Sequence, residues 1–359
     1  AGLSLGAADT ALRVTLDFAR TRRLYDRSVA DLPHARRRIV DSFVRLLTAE
    51  CVAVAAARAV HQTPEQMRLY SAAAKYFVAA EAEAIIEGLA AVLGARHYLR
   101  EGHADGIFQK LLRDVLVVRY HFNSALNLIT VGAHLRDLAR ERERPSGAAE
   151  RDPMRERVSA ICDLARPLSP LDPATLRIYT RGRDDLLHGL DAAHDELSAL
   201  HSTSEAEREL ISVLAAQVSR LLEARAALDR AQREAERRLG GDYGNSPELF
   251  AQAERYCLLL AAACTVHLWL NNRGASGGLF SGGEWLALSL GQTLRRLGLR
   301  KGVEPPAGYV QRVWEQMTRL HDARRLLSIV PLQLAQPNAQ GPDMAVVGAG
   351  LVASEVGGA

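Results

Sequence analysis

The chain has 359 residues, 48% apolar, 5% aromatic and 24% charged, with a net charge of +3. That length allows roughly two or three domains and a sizeable core. The balance of 45 basic against 42 acidic residues demands no nucleic acid, and no Lys/Arg block is interleaved with stacking aromatics. Ala and Leu dominate the apolar set, which favours close-packed helices over sheet. Lys occurs only at Lys75, Lys110 and Lys301, an Arg bias that reads as a GC-rich bacterial gene. Cys51, Cys162, Cys257 and Cys264 form no CxxC pair, so neither a disulfide framework nor a zinc site is expected. The longest apolar run, Cys257 to Leu270, has 14 residues and contains His267, too short for a membrane span. With no signal peptide visible, a cytoplasmic protein is expected.

The spacing of Leu5, Ala8, Leu12 and Leu16 predicts a first helix over Ser4–Arg23, and Ala1 already stands in its register. A chain seldom begins inside a helix, so a longer parent protein is expected. Pro33 opens a second helix reaching His61. Thr63-Pro64-Glu65-Gln66 reads as a capping box before a third helix, which Gly94 stops. Further helices are expected over Ile107–Val117 and Ser124–Glu143, making a bundle over 1–143. A polar linker with Pro and Gly follows over 144–172.

A second bundle is expected over 173–330. Thr175–Ser202 and Ser204–Leu239 read as a long antiparallel pair with heptad-like spacing. Ser246-Pro247-Glu248 caps a helix to Leu270, and a Gly-rich loop runs to Gly283. Helices over Glu284–Leu297 and Ala307–Ile329 complete the set, and 331–359 is a flexible tail. No β-hairpin signal is visible. The fold class is therefore all-α, two consecutive antiparallel helical bundles.

Three stretches carry a resemblance in the same order. The first is Ala7–Leu12, then Asp17-Phe18-Ala19 and Arg22-Arg23-Leu24-Tyr25. The second is Ala74-Lys75-Tyr76 leading to Ala91-Val92-Leu93-Gly94-Ala95-Arg96-His97-Tyr98. The third is Tyr120-His121-Phe122-Asn123-Ser124. Over residues 1–140 this pattern resembles the C-terminal helical domain of the acyl-CoA dehydrogenases. The second bundle resembles, more weakly, the extra helical region of long members and of acyl-CoA oxidases.

The resemblance implies an FAD-dependent oxidation of an acyl thioester to its α,β-unsaturated form. The substrate would be carried on coenzyme A or on an acyl-carrier protein, and the enzyme would be a homo- or hetero-oligomer. It places the family's N-terminal helices and middle β-domain outside this chain, which alone would be an incomplete enzyme. Arg22 takes the place of the family Arg that reaches a flavin pyrophosphate, and a planar guanidinium suits phosphate. Tyr25 takes the place of the family Phe. Gly94 keeps the first Gly of the family's Gln-x-x-Gly-Gly turn, where backbone can approach a ligand closely; an ordinary helix C-cap is the other reading. Asn123 stands where the family has Thr in Tyr-Glu-Gly-Thr-Ser. These four are the expected cofactor-binding residues.

His121 stands where the family has the catalytic Glu, and imidazole can take a proton near neutrality. The other reading is a lost active site. Ala91 replaces the family Gln and Ala95 the second Gly. These departures leave a degenerate, non-catalytic subunit or a helical interaction module as alternatives. The Arg36-Arg37-Arg38 run reads as a solvated helix face, and Gly274–Gly283, lacking the Lys of a P-loop, as an inter-helix loop.

Overall fold

The computed structural model describes residues 1–120, 124–143, 148–177, 182–274, 278–299 and 304–335. The architecture is all-α. The first set is α1 (Gly2–Thr21), α2 (Pro33–Gln62), α3 (Met67–Leu93), α4 (Ile107–Tyr120) and α5 (Ser124–Glu143). Then come α6 (Ala148–Cys162), α7 (Asp185–His188), α8 (Leu190–Ala199), α9 (Glu205–Leu239), α10 (Pro247–Asn272), α11 (Glu284–Arg296) and α12 (Gly308–Asp322).

The centre is α10, in which every residue from Tyr256 to Leu270 is buried. Ser246 caps it, accepting from the Leu249 N–H at 3.2 Å, and Pro247 occupies the first turn. A helix apolar all round is a core helix or a membrane span. Among the described residues, α10 is long and apolar enough to cross a membrane by length and composition, but here other helices surround it. It packs against α2 and α5 of the first set and against α9 and α11 of the second. One continuous apolar cluster therefore runs from Ala8 to Ile329.

That continuity departs from the expected boundary. Residues 144–172 were expected as a linker, yet they contain α6, whose end buries Val158, Ala160, Ile161 and Cys162. Polar composition and Pro153 mask this short apolar stripe, which packs on α2 and α10. Where one long helix was expected over Thr175–Ser202, the described residues hold the end of a 3-10 turn (Pro173–Thr175), α7 and α8. The expected helix over Ala307–Ile329 ends at Asp322. A strap to residue 335 then lies back over the first set, with the Leu327 N–H donating to Asp9 (2.9 Å) and the Ile329 N–H to Glu50 (2.8 Å). The tail from 336 lies outside the described residues. Of the Gly-rich loop, Leu279 and Phe280 are buried, and Trp269 and Trp285 donate to the Gly282 and Leu279 carbonyls.

A small hairpin is also present: β1 (Arg23–Leu24) pairs antiparallel with β2 (Arg27–Ser28). Its turn puts Tyr25 and Asp26 at φ 51° and 63°. Both central residues have positive φ, as in a type I′ turn, but without the Asn-Gly or Asp-Gly that would announce it.

The Thr63 capping box does not form: Thr63 Oγ1 is buried without a partner. Gln66 instead reaches across the molecule to Asp185, at 2.7 Å. Beside it, buried Asp184 accepts from Tyr70 Oη (3.1 Å), Tyr256 Oη (2.7 Å) and the Leu187 N–H (3.1 Å). Arg157 of α6 closes on Asp185 at 2.6 and 2.9 Å. This polar cluster ties α3, α6, α7 and α10 into one unit. Asp184→Ala leaves the Tyr256 hydroxyl and the Leu187 N–H unpaired, with Tyr70 keeping Gln66 as acceptor (2.8 Å), and should cost about 3 kcal/mol; a urea midpoint equal to wild type would show that the cluster does not hold the sets together.

Burial pushes the His267 imidazole down from 6.5 to about 4, and its Nε2 is bonded to the Leu186 carbonyl oxygen at 2.9 Å. The folded protein thus holds a neutral ring where the unfolded chain binds a proton. Its contribution is present above about pH 6.5 and is lost as pH falls toward 4, on the order of 3 kcal/mol in all. His134 and His188, lowered mainly by burial, add to the same slope. Unfolding free energy measured from pH 7.5 to 4 should fall less steeply in His267→Gln than in wild type; parallel curves would remove His267 from the account.

Candidate functional site

Three helix ends meet on one side of the first set. Helix α1 closes at Arg22, whose N–H donates to the Phe18 carbonyl at 2.8 Å and whose own carbonyl accepts from Val29 at 2.9 Å. The second bond folds the hairpin back and delivers the chain to the start of α2. Helix α3 ends at Gly94, with φ 57° and ψ −141°, a region that L side chains rarely enter. The chain turns there through Ala95 and Arg96.

The resulting groove has a volume of about 420 Å³ and runs between Phe18, Arg22 and Leu24, the first turns of α2 (Leu32, His34, Ala35, Arg38), and the turn Ala91–Arg96. A second arm continues past Arg22 and Arg96 to Thr21, Asp17 and His103. The structure therefore brings Arg22 and Gly94, more than seventy residues apart, onto one concavity.

Tyr25 is not part of it. It sits at the hairpin tip, 95% exposed, because the positive-φ turn carries its side chain away from the helix ends. His121 and Asn123 lie outside the described residues. On either side of them, Arg119 donates to Glu83 at 3.1 Å, Tyr120 Oη to Glu83 at 3.4 Å, and Ser124 Oγ to the Arg119 carbonyl at 2.9 Å.

Sequence reading missed two groove residues. Arg38 belongs to a run read as a solvated face. Within that run Arg36 is committed to the Ala30 carbonyl and Gln311 (both 2.9 Å), and Arg37 to Asp41 (3.0 Å). Arg38 is turned to the groove, where its Nε meets His34 Nε2 at 2.9 Å. Arg96 lies within the Gly94 turn, with its guanidinium 5.2 Å from the centroid of the Phe18 ring. A position inside the turn was the available signal for Arg96; nothing local marked Arg38.

The electrostatics of the groove are lopsided. The ends of α1 and α3 present carbonyls, the negative pole of each helix dipole. Opposite them α2 presents its start, where the His34 and Ala35 amides precede the first intrahelical acceptor and no side chain caps them. Arg22, Arg38 and Arg96 add three guanidinium groups. Among the described residues none of the three is paired with a carboxylate, whereas Arg13, Arg20 and Arg45 nearby all are. Asp17, in the second arm, is engaged by His321 Nε2 at 3.0 Å.

The arrangement can hold an anion. Phosphate oxygens suit guanidinium forks and open helix amides. A Cβ on Gly94 would meet nothing within 4 Å, so backbone lies open to a ligand there. The Nε2 of His103, packed edge-on against Phe18, is buried without a partner. These features fit the diphosphate of a dinucleotide such as FAD.

A separate cleft of about 320 Å³ lies between α6, α8 and α10. Its charges are of both signs (Asp152, Arg155, Glu156, Glu196), and it offers no comparable set.

Residues 1–121 match the family model described as acyl-CoA dehydrogenase, C-terminal domain. The matched segment is the one that builds the groove. Among solved structures it is similar to an acyl-CoA dehydrogenase complexed with FAD from Bacillus anthracis, at a TM-score of 0.54 and 12% sequence identity. That alignment covers 89% of this chain and 54% of the other, so the chain spans about half the length of that enzyme. The likeness is one of fold and extends into the second helical set. Among curated proteins none matches the chain.

The turns that shape the groove are glycine-dependent to different degrees. At Gly106 (φ 69°) a Cβ would collide with the Arg100 carbonyl, whereas at Gly94 only the backbone conformation is at stake. Gly94→Ala should cost about 1–2 kcal/mol and Gly106→Ala more. Thermal unfolding checks the order; equal losses would show that the Arg100 contact is easily relieved.

Proposed function

We propose that this chain is the C-terminal part of an FAD-dependent, acyl-CoA dehydrogenase-like oxidoreductase acting on an acyl thioester carried by coenzyme A or a carrier protein. The reading rests on the groove, in which Arg22 and the Gly94 turn meet beside the open start of α2. The same groove lies within the segment matched to the family. Arg22 would grip one phosphate of the flavin's diphosphate by paired hydrogen bonds. Gly94 would let backbone pass close to the cofactor, and Asn123 would add a polar contact. FAD when bound supplies the hydride acceptor.

His121 would take the proton from the carbon next to the thioester carbonyl, through a neutral imidazole nitrogen. Its ordinary pKa makes that form available near neutral pH without a large shift. Water would be excluded by the remainder of the enzyme and by neighbouring subunits in an oligomer. A cytoplasmic location accompanies this reading. The replacements Ala91 and Ala95 in the turn, with His121 in the loop, favour one other reading: a subunit that keeps the cofactor surface but has lost the chemistry.

In the full-length protein, Arg22→Ala should lower the FAD retained after purification by about tenfold, the size of one lost charge-assisted contact; unchanged flavin absorbance would remove Arg22 from the cofactor site. His121→Ala should abolish bleaching of the flavin by acyl thioester while leaving FAD bound. Wild-type protein that binds FAD but is never bleached by acyl thioesters supports the non-catalytic subunit.

A further inference from the structure

The family pattern accounts for one cation of this groove, and the groove holds three. Arg38 comes from the second turn of α2, and Arg96 from the turn after α3. Arg22 and Arg96 border both arms, while Arg38 borders only the arm at the start of α2. The positive charge is thus distributed along the groove. A single phosphate would leave part of it unused, whereas two linked phosphates would engage both ends. The place where the family has Gln is Ala91, which also lines the groove and has no polar atom beyond its backbone.

The surroundings support an anion in that space. Arg96 is held over Phe18 at 5.2 Å, which leaves its N–H edge free for oxygen acceptors. Arg38 is steadied through Nε by His34 at 2.9 Å, so its terminal nitrogens remain for a ligand. The His34 and Ala35 amides at the start of α2 lack intrahelical acceptors. No aspartate or glutamate lines this arm. Three like charges facing one groove repel each other, and a dianion would relieve that repulsion.

We infer that Arg38 and Arg96 act with Arg22 and the first-turn amides of α2 as a diphosphate-binding set, in which the two extra arginines replace the missing Gln. The ligand class is a nucleotide diphosphate ester, the ADP-like portion that FAD and coenzyme A share. The inference builds on the proposed cofactor groove but concerns residues that the family pattern does not mark.

The test is calorimetric titration of the 359-residue chain, at low ionic strength, with ADP, inorganic pyrophosphate, inorganic phosphate, adenosine, FAD and coenzyme A. ADP and pyrophosphate should bind, adenosine should not, and phosphate should bind far more weakly. Arg38→Ala and Arg96→Ala should each weaken ADP binding by about tenfold, the size of one lost charge-assisted hydrogen bond. Arg96→Lys should recover part of the loss, and rising salt should weaken the wild type more than either Ala variant. Stronger binding of FAD than of coenzyme A supports the inference with flavin as the source; the reverse order supports it with the acyl carrier as the source.

Phosphate binding as tightly as pyrophosphate overturns the diphosphate assignment. ADP affinity unchanged in both Ala variants, or no binding of any diphosphate by the wild type, overturns the inference itself. The cofactor reading fails separately. If Arg22→Ala empties the full-length protein of FAD while Arg38→Ala and Arg96→Ala do not, the cofactor reading stands and the further inference falls. If the full-length protein carries no flavin but the chain binds ADP through Arg38 and Arg96, the outcome is reversed.

Discussion

The burial of α10 is the constraint on which the rest of this molecule depends. Its run from Tyr256 to Leu270 exposes no polar face that could meet water, so neighbours must cover it from every direction. Helix α2 is one of those neighbours, held on its other sides by α1 and α3. The groove is made from the ends of these three helices. Its geometry is thus inherited from that core, with the hairpin and the Gly94 turn completing its walls.

Polar groups reinforce the same construction. Asp184 and Asp185 sit where α3, α6, α7 and α10 converge, and their oxygens are satisfied by Tyr70, Tyr256, Gln66 and Arg157. Buried carboxylates are costly unless their acceptor capacity is met. Here it is met by side chains from elements far apart in sequence, which makes the cluster a specifier of how the elements dock. The C-terminal strap does related work from outside, engaging Asp9 and Glu50 through backbone amides.

The charges of the groove are left for a ligand. Several arginines elsewhere in the first set pair with carboxylates or carbonyls, as Arg13, Arg37, Arg45 and Arg58 do. The groove arginines do not pair with carboxylates among the described residues. The non-glycine residues at positive φ in the first set, Tyr25, Asp26, Ala104 and Asp105, fall in turns beside the same helix ends. Local cost concentrated beside unpaired charge is the usual physical sign of a site shaped for a ligand.

Much of this was legible in the residues themselves. Helix starts at Pro33 and Pro247 and the stop at Gly94 follow from local backbone chemistry, and the all-α class follows from Ala/Leu composition and 3.6-residue spacing. The order Arg22, Gly94, Tyr120 carried the family resemblance. Other features depend on contacts that no local window contains. Thr63–Gln66 has the letters of a capping box, yet Gln66 is drawn to Asp185, 119 residues away. The stripe of α6 is too short to outweigh its polar and proline signals until α2 and α10 cover it. Tyr25 matches an aromatic motif position, but a turn with two positive φ values sends it to solvent. Arg38 is indistinguishable from Arg36 and Arg37 in sequence; only the packing of Trp314, Gln311 and Asp41 around its neighbours leaves it facing the groove. Sequence alone determined where most helices of the first set lie and which family that set resembles, because those signals are local. Tertiary structure decided which charges are spent on the fold and which remain for a ligand, because that depends on what every other element has already claimed.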